Sequence, residues 1–299
     1  MNEINTSVLE ELNKVIIGKE DFVEQVWMAI LAKGHVLIED HPGTGKTTVA
    51  LAISKILNLQ HKRVQFTPDL TASDITGFTM YDKQSNQFTF KEGAAMCNLL
   101  LADEINRTSS RTQSALLEAM QEGCVTVDSV TYELPKPFHV IATQNPNGSV
   151  GTQPLPQAQL DRFMVKLSIG YPDFKSQVAL LRDRQAAQPL NDVKPILTQK
   201  QLLEIQQLVE EIHIADELLH YITEITEETR NHPQIAQGVS PRGALAICSM
   251  AKARAYIMGR TFVLPEDVLT IGVNTMTHRI IFSKQLTTEQ AQEVILEIL

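Results

Sequence analysis

No apolar run in this 299-residue sequence approaches the ~20 residues that cross a bilayer as a helix, so no membrane span is expected. The first eleven residues are acidic and polar, which does not fit a secretory signal. No stretch is dense in lysine or arginine, and the formal net charge is −9. A chain that binds nucleic acid through its own field carries a basic patch, so nucleic acid is a poor default partner. Cysteine is scarce: Cys97, Cys124 and Cys248 are isolated, odd in number and without CxxC spacing. Reduced thiols in a cytoplasmic protein are the expectation. Internal repeats and low-complexity segments are lacking too. What remains is an ordinary globular composition, 43% hydrophobic and 20% charged. Its length suggests two domains, or one with a substantial appendage.

The patterning changes near residue 170. Before that point, short apolar runs alternate with helical spacing. Residues 13–33 read as a short apolar stretch and then an amphipathic helix, with Val23, Val26, Trp27 and Ile30 on one face. Strands are expected at 35–39, 64–66, 98–102, 138–142 and 163–169. The runs NLLLA and FHVIA suit parallel strands covered on both faces. Residues 46–57 and 113–121 have helical spacing. Alternating aromatic and polar residues at 78–90 and 124–134 predict two β-hairpins. After residue 170 the patterns are mostly helical, at 173–185, 200–211, 216–231, 241–258 and 265–277. The reading is therefore an α/β domain over 1–170 and an all-helical domain over 171–299.

Five motifs carry chemistry. HPGTGKTT at 41–48 sits between an expected strand and an expected helix, as a phosphate-binding loop does. Gly43 and Gly45 let backbone N–H groups turn toward phosphate oxygens, and the helix start adds a favourable dipole. Lys46 can reach the β- and γ-phosphates, and Thr47 can ligate Mg²⁺. Pro42, Thr44 and Thr48 complete the loop. Asp40 stands where the general pattern has its first glycine. The second motif is LLLADE (99–104), an apolar strand ending in two carboxylates. Asp103 is placed to hold the Mg²⁺ shell and Glu104 to polarise an attacking water; alone, such a pair is often a solvated strand end. Third, VIATQN (140–145) ends a buried strand on Asn145, either a phosphate or water sensor or an ordinary turn residue. Fourth, Arg162 in QLDRF (159–163) could complete a neighbouring subunit's site or pair with Asp161. Fifth, SPRG (240–243) puts Arg242 in a helix's first turn, where the dipole does not favour a cation. A phosphate contact and a plain surface arginine are both open.

Together with LPQAQLDRFMV (155–165) and PDLTASDITG (68–77), these motifs resemble the MoxR family of AAA+ ATPases over nearly the whole chain. Asp40 in place of glycine is common in that family. The resemblance implies a five-stranded parallel sheet in the order 5-1-4-3-2 with a C-terminal helical lid. The 78–90 hairpin would be an insertion in the second helix, and the 124–134 hairpin would precede the sensor strand. ATP and Mg²⁺ are the implied cofactors. Ile16, Ile17 and Gly18 fall where such proteins contact adenine. Asn145 becomes the first sensor, Arg162 the arginine finger and Arg242 the second sensor, with Arg107 and Arg111 as further arginines near a subunit boundary. Implied partners are a homo-hexamer, a protein client and a protein carrying a von Willebrand factor A domain. Rival readings are a nucleic-acid motor, a P-loop phosphotransferase for a small molecule, and a nucleotide-gated scaffold that hydrolyses little.

Overall fold

The computed structural model describes residues 3–40, 43–84, 86–145, 154–186 and 189–299. His41 and Pro42 of the expected phosphate loop lie outside the described residues, as do Pro146 and the segment that follows it.

Two helices, α1 (Glu3–Val15) and α2 (Glu20–Leu31), lead into strand β1 (Val36–Glu39). Helix α3 (Lys46–Ile56) and strands β2 (His61–Gln65) and β3 (Leu99–Asp103) follow, then α4 (Ser110–Glu122), β4 (His139–Gln144) and β5 (Val165–Leu167). The sheet order is β5-β1-β4-β3-β2, with every pairing parallel. This is the expected 5-1-4-3-2 arrangement, and the sensor strand β4 does lie between β1 and β3. Each central strand splits its side chains between two apolar layers, because successive residues face opposite sides of a sheet. Leu37, Leu100, Ala102, Val140 and Ala142 pack with Phe66, Leu116, Leu117 and Phe163 on one face. Val36, Ile38, Leu99, Leu101 and Ile141 pack with α2 and α3 on the other.

The acidic start of the chain is a helix as well. Val8, Leu12 and Val15 form its buried stripe, and Asn5 Oδ1 accepts a 3.1 Å bond from the indole of Trp27. Both expected hairpins form, as Gly77–Asp82 with Gln87–Glu92 and Cys124–Val127 with Val130–Glu133. The helix interrupted by the first hairpin is reduced to Ala72–Thr76, and the chain returns to β3 through turns. Phe90 and Tyr132 join the two hairpins by stacking at 3.9 Å between ring centroids.

From residue 174 on, the described segments are almost wholly helical. They are α5 (Phe174–Ala186), α6 (Gln199–Glu210), α7 (Asp216–Asn231), α8 (Pro241–Ile257), α9 (Pro265–Met276) and α10 (Thr288–Ile298), with a short helix at Pro189–Asp192, a 3-10 turn at Thr277–Arg279 and a two-stranded ribbon between them. Helix starts are marked by Ser, Thr or Pro: Thr198 and Thr287 make capping boxes, Ser240 caps α8, and Pro241 and Pro265 take first-turn positions. Helices α6 to α10 share the apolar layer on α2. Gln206 Nε2 donates to the carbonyl of Ile30 at 2.7 Å, and Arg254 pairs with Glu24 at 3.1 Å. Among the described residues no helix is long and apolar enough to cross a membrane.

Candidate nucleotide site

The phosphate loop is shaped by its glycines and anchored by its acid. Gly45 caps α3 at φ 92°, a region costly for any residue with a Cβ, although a Cβ there would meet nothing within 4 Å. Its glycine is therefore required by conformation rather than by space. Asp40 replaces the pattern's first glycine and is buried at 5% exposure. Its Oδ2 accepts from the Gly170 amide at 2.6 Å and from Ser168 Oγ at 3.3 Å, tying the loop's start to the exit of β5. Its backbone carbonyl accepts from Lys46 Nζ at 2.6 Å. Burial pushes the Lys46 ammonium below the usual lysine range, while Asp40, Glu104, Asp103 and Glu39 oppose that shift.

Two strand ends bring the acids and Asn145 together. Asp103 ends β3, with Oδ2 2.7 Å from Arg63 Nε and Oδ1 3.3 Å from Thr143 Oγ1. Glu104 follows in the left-handed region, at φ 56° and ψ 49°. A non-glycine residue rarely sits there without a reason. Thr143 Oγ1 accepts its amide at 2.9 Å. The carboxylate is gripped on both oxygens: Asn145 Nδ2 donates to Oε1 at 3.0 Å, while Gln65 Nε2 (2.9 Å) and Arg107 (2.8 Å) donate to Oε2. The bond from Arg107 is the main cause that holds Glu104 below the usual carboxylate range. Glu104 is therefore ionised and able to accept a proton or polarise a water.

Asp103, Glu104, Thr143 and Asn145 line one cavity of about 640 Å³ with Gly43 through Thr48, Arg63, Gln65, Tyr171 and Pro172. A narrow slot of about 60 Å³ adjoins it, sharing Thr44, Gly45, Thr48, Pro172 and Leu180. Ile16, Ile17 and Ile169 supply its apolar wall. Gly18 does not line the slot; at φ 69°, with Ser176 Oγ only 2.0 Å from where its Cβ would be, it lets this segment meet α5. A small, mostly apolar slot adjoining a cavity lined by the loop residues and Lys46 has the form of a base pocket beside a phosphate pocket.

The donor set fits Mg²⁺ with a bound polyphosphate. Thr47 and Asp103 offer oxygen ligands in the cavity, and Asn145 Oδ1 is buried without a partner among the described residues. No group of three or more His, Cys, Asp or Glu among them forms a protein-only metal cage. Mg²⁺ keeps waters and shares phosphate oxygens rather than filling its shell from side chains.

Arg162 and Arg242 are elsewhere. Arg162 donates to the Leu117 carbonyl at 2.6 Å, and its Nε has no partner among the described residues. Arg242 contacts Gln121 Oε1 at 3.3 Å. Both therefore sit against α4, outside the cavity of their own chain, and Arg111 lines a separate groove with Asp69 and Thr71. Asp161 does not pair with Arg162. It accepts from Arg279 Nε at 2.9 Å and Ser240 Oγ at 2.8 Å. Arg279 is 3% exposed and also donates to the carbonyls of Phe163 and Met164. One carboxylate thus joins the QLDRF segment, the SPRG turn and the end of α9. Arg63, Thr143 and Arg279 escape sequence reading. Only Thr143, inside the VIATQN run, carries a local signal.

Comparison with known proteins agrees with this geometry. Residues 35–165 match the profile of the ATPase family associated with various cellular activities, and residues 227–298 match an AAA lid domain. The Bacillus subtilis protein YeaC is 43% identical over 97% of this chain and 92% of its own. Chaperone MoxR1 of Mycobacterium tuberculosis is 35% identical over 96% of this chain and 78% of its own. A crystal structure from Cytophaga hutchinsonii superposes with a TM-score of 0.89 at 36% identity, covering 98% of this chain and 93% of that one. With the core, the lid and nearly the full length all accounted for, the chain belongs to the MoxR family and is an AAA+ ATPase.

Proposed function

We propose that this protein hydrolyses ATP with Mg²⁺ at the boundary between neighbouring subunits of a ring, and uses the cycle to remodel or activate a protein client in the cytoplasm. The observation that carries the reading is the placement of the arginines. The lysine, both acids and Asn145 meet in one cavity, whereas Arg162 and Arg242 are held on α4 and outside it. A cation at the transferring phosphoryl beyond the cavity's own Lys46 and Arg63 would come from the next subunit.

Lys46 and the loop amides hold the phosphates, and Ile16 and Ile17 cover the base. Thr47 and Asp103 would hold Mg²⁺, which would supply charge neutralisation at the phosphates. Glu104 polarises the attacking water, and Asn145 links Glu104 to the γ-phosphate. Arg162 of the neighbour stabilises the transition state, a contribution of about 10³–10⁵ in rate for such fingers. Arg242 reports nucleotide state from the helical domain, which we assign to 171–299 against an α/β domain of 1–170. Phe78, Met80, Tyr81 and Phe88 are exposed on the first hairpin, which suits contact with a client. The M. tuberculosis relative is named a chaperone, in keeping with that role. We take the assembly to be a hexamer and its partner to carry a von Willebrand factor A domain. The net charge of −9 weighs against a nucleic-acid track.

The test measures ATPase rate against protein concentration, alone and with excess Lys46→Ala or Arg162→Ala subunits. Specific activity that rises with concentration, and that Arg162→Ala subunits alter, is expected. Activity that is flat in concentration and indifferent to both variants overturns the shared site. Glu104→Gln should bind ATP and lose turnover.

A further inference from the structure

The edge strand β2 presents His61, Arg63 and Gln65 on its exposed face. Two of these reach the acids at the end of β3: Gln65 the Glu104 carboxylate, and Arg63 the Asp103 carboxylate. The two pairings differ in kind. Gln65 is neutral and steers an oxygen. Arg63 is a permanent cation, and it takes up Oδ2 of the acid assigned to Mg²⁺. Lys46 and Arg63 are the cations lining this cavity among the described residues. The Arg63 side chain is 54% exposed, while that of Asp103 is 7% exposed. The carboxylate is thus fixed and the guanidinium is solvated, an ion pair that is cheap to open from one side.

We propose that Arg63 is a resident counter-cation of Asp103 that competes with Mg²⁺ for this carboxylate, and so sets the divalent-ion concentration at which nucleotide binds tightly. The inference rests on the reading of Asp103 as a Mg²⁺ ligand. A guanidinium at 2.7 Å neutralises the charge that attracts the metal and repels a dication in the same space. Arg63 is a positioning residue here: it acts through Asp103 on the metal.

The test is binding of a fluorescent ATP analogue to the full chain over a series of Mg²⁺ concentrations. Removing a competitor of solvent-exposed ion-pair strength should lower half-saturating Mg²⁺ by about two- to fivefold in Arg63→Gln. Arg63→Lys, which keeps the charge, should stay close to the wild type. In an Asp103→Asn background Arg63→Gln should have no further effect, because the cycle isolates the pair. A half-saturation that is unchanged or raised in Arg63→Gln overturns the proposal, as does a shift that survives in the Asp103→Asn background. If Asp103→Asn itself leaves the Mg²⁺ dependence intact, the metal-site reading fails and takes the proposal with it. If Asp103→Asn abolishes that dependence while Arg63→Gln does nothing, only the proposal fails.

Discussion

Replacing Thr143 by valine tests how Glu104, the carboxylate proposed to polarise the attacking water, is held. Thr143 is 1% exposed, and valine matches its shape, so the change removes a hydroxyl and little packing. Two hydrogen bonds go with it. The one to Asp103 Oδ1, at 3.3 Å, is already long for a hydroxyl donor and contributes little. The one from the Glu104 amide, at 2.9 Å, matters more. Its loss leaves a part-buried N–H without a partner, a cost of about 1–3 kcal/mol. Glu104 also stands in the left-handed region, which disfavours an L-residue by roughly 1–2 kcal/mol. Without its anchor, the backbone relaxes and carries the carboxylate away from Asn145 and Gln65. A misplacement on the order of 1 Å costs about a hundredfold in rate. Thr143→Val should therefore lose about 1–3 kcal/mol in urea unfolding and lower kcat at saturating Mg-ATP by about a hundredfold, while still binding nucleotide. Thr143→Ser should restore most of both. A valine variant that turns over within about twofold of wild type would refute the view that this hydroxyl sets the Glu104 geometry.

Two further predictions follow from buried charge. His35 and His139 are buried at the base of the sheet, and burial lowers both to about 4. Below the ordinary histidine pKa the unfolded chain takes up protons that the native state refuses until about pH 4, so stability is full above pH 6.5 and falls as pH drops through that window. The loss should reach about 2 kcal/mol per histidine by pH 5; urea midpoints that are equal at pH 7 and pH 5 would contradict it. Arg279→Met strands Asp161 beside Ser240 and removes the donor from four carbonyls, those of Asp161, Phe163, Met164 and Thr275. A loss of about 3–5 kcal/mol is expected, read by urea denaturation, and a loss below about 1 kcal/mol would mean that the cluster is not a structural joint.

The central strands were legible because NLLLA and FHVIA are covered on both faces and therefore continuously apolar. The edge strand β2 was less so. Its HKRVQ sequence is mostly solvent-facing, so the apolar signal points only to 64–66, at its C-terminal end. Helix α1 was hidden by its acids, since three buried residues on one stripe suffice once α2 and α3 offer them a surface. Helix α10 is similar, with Ala291, Val294 and Ile295 buried amid polar neighbours. At the site, Lys46, Thr47, Asp103, Glu104 and Asn145 stood out because strand-to-loop boundaries mark them locally. Arg63 and Thr143 hold those residues from adjacent strands, and Arg279 holds Asp161 from more than a hundred residues away. Register and tertiary contact assign such partners, and a linear motif does not encode them.

Asp40 has a consequence for how the site comes into being. Its partners, Ser168 and Gly170, lie 128 and 130 residues further along the chain. The nucleotide loop therefore gains its anchor only after β5 has been made and docked, and closing so long a loop is an entropic cost that precedes the bond. A nascent chain halted before residue 168 would display every residue of the loop motif without this fixed support. ATP affinity gained during synthesis would then report on completion of the sheet rather than on the appearance of the motif.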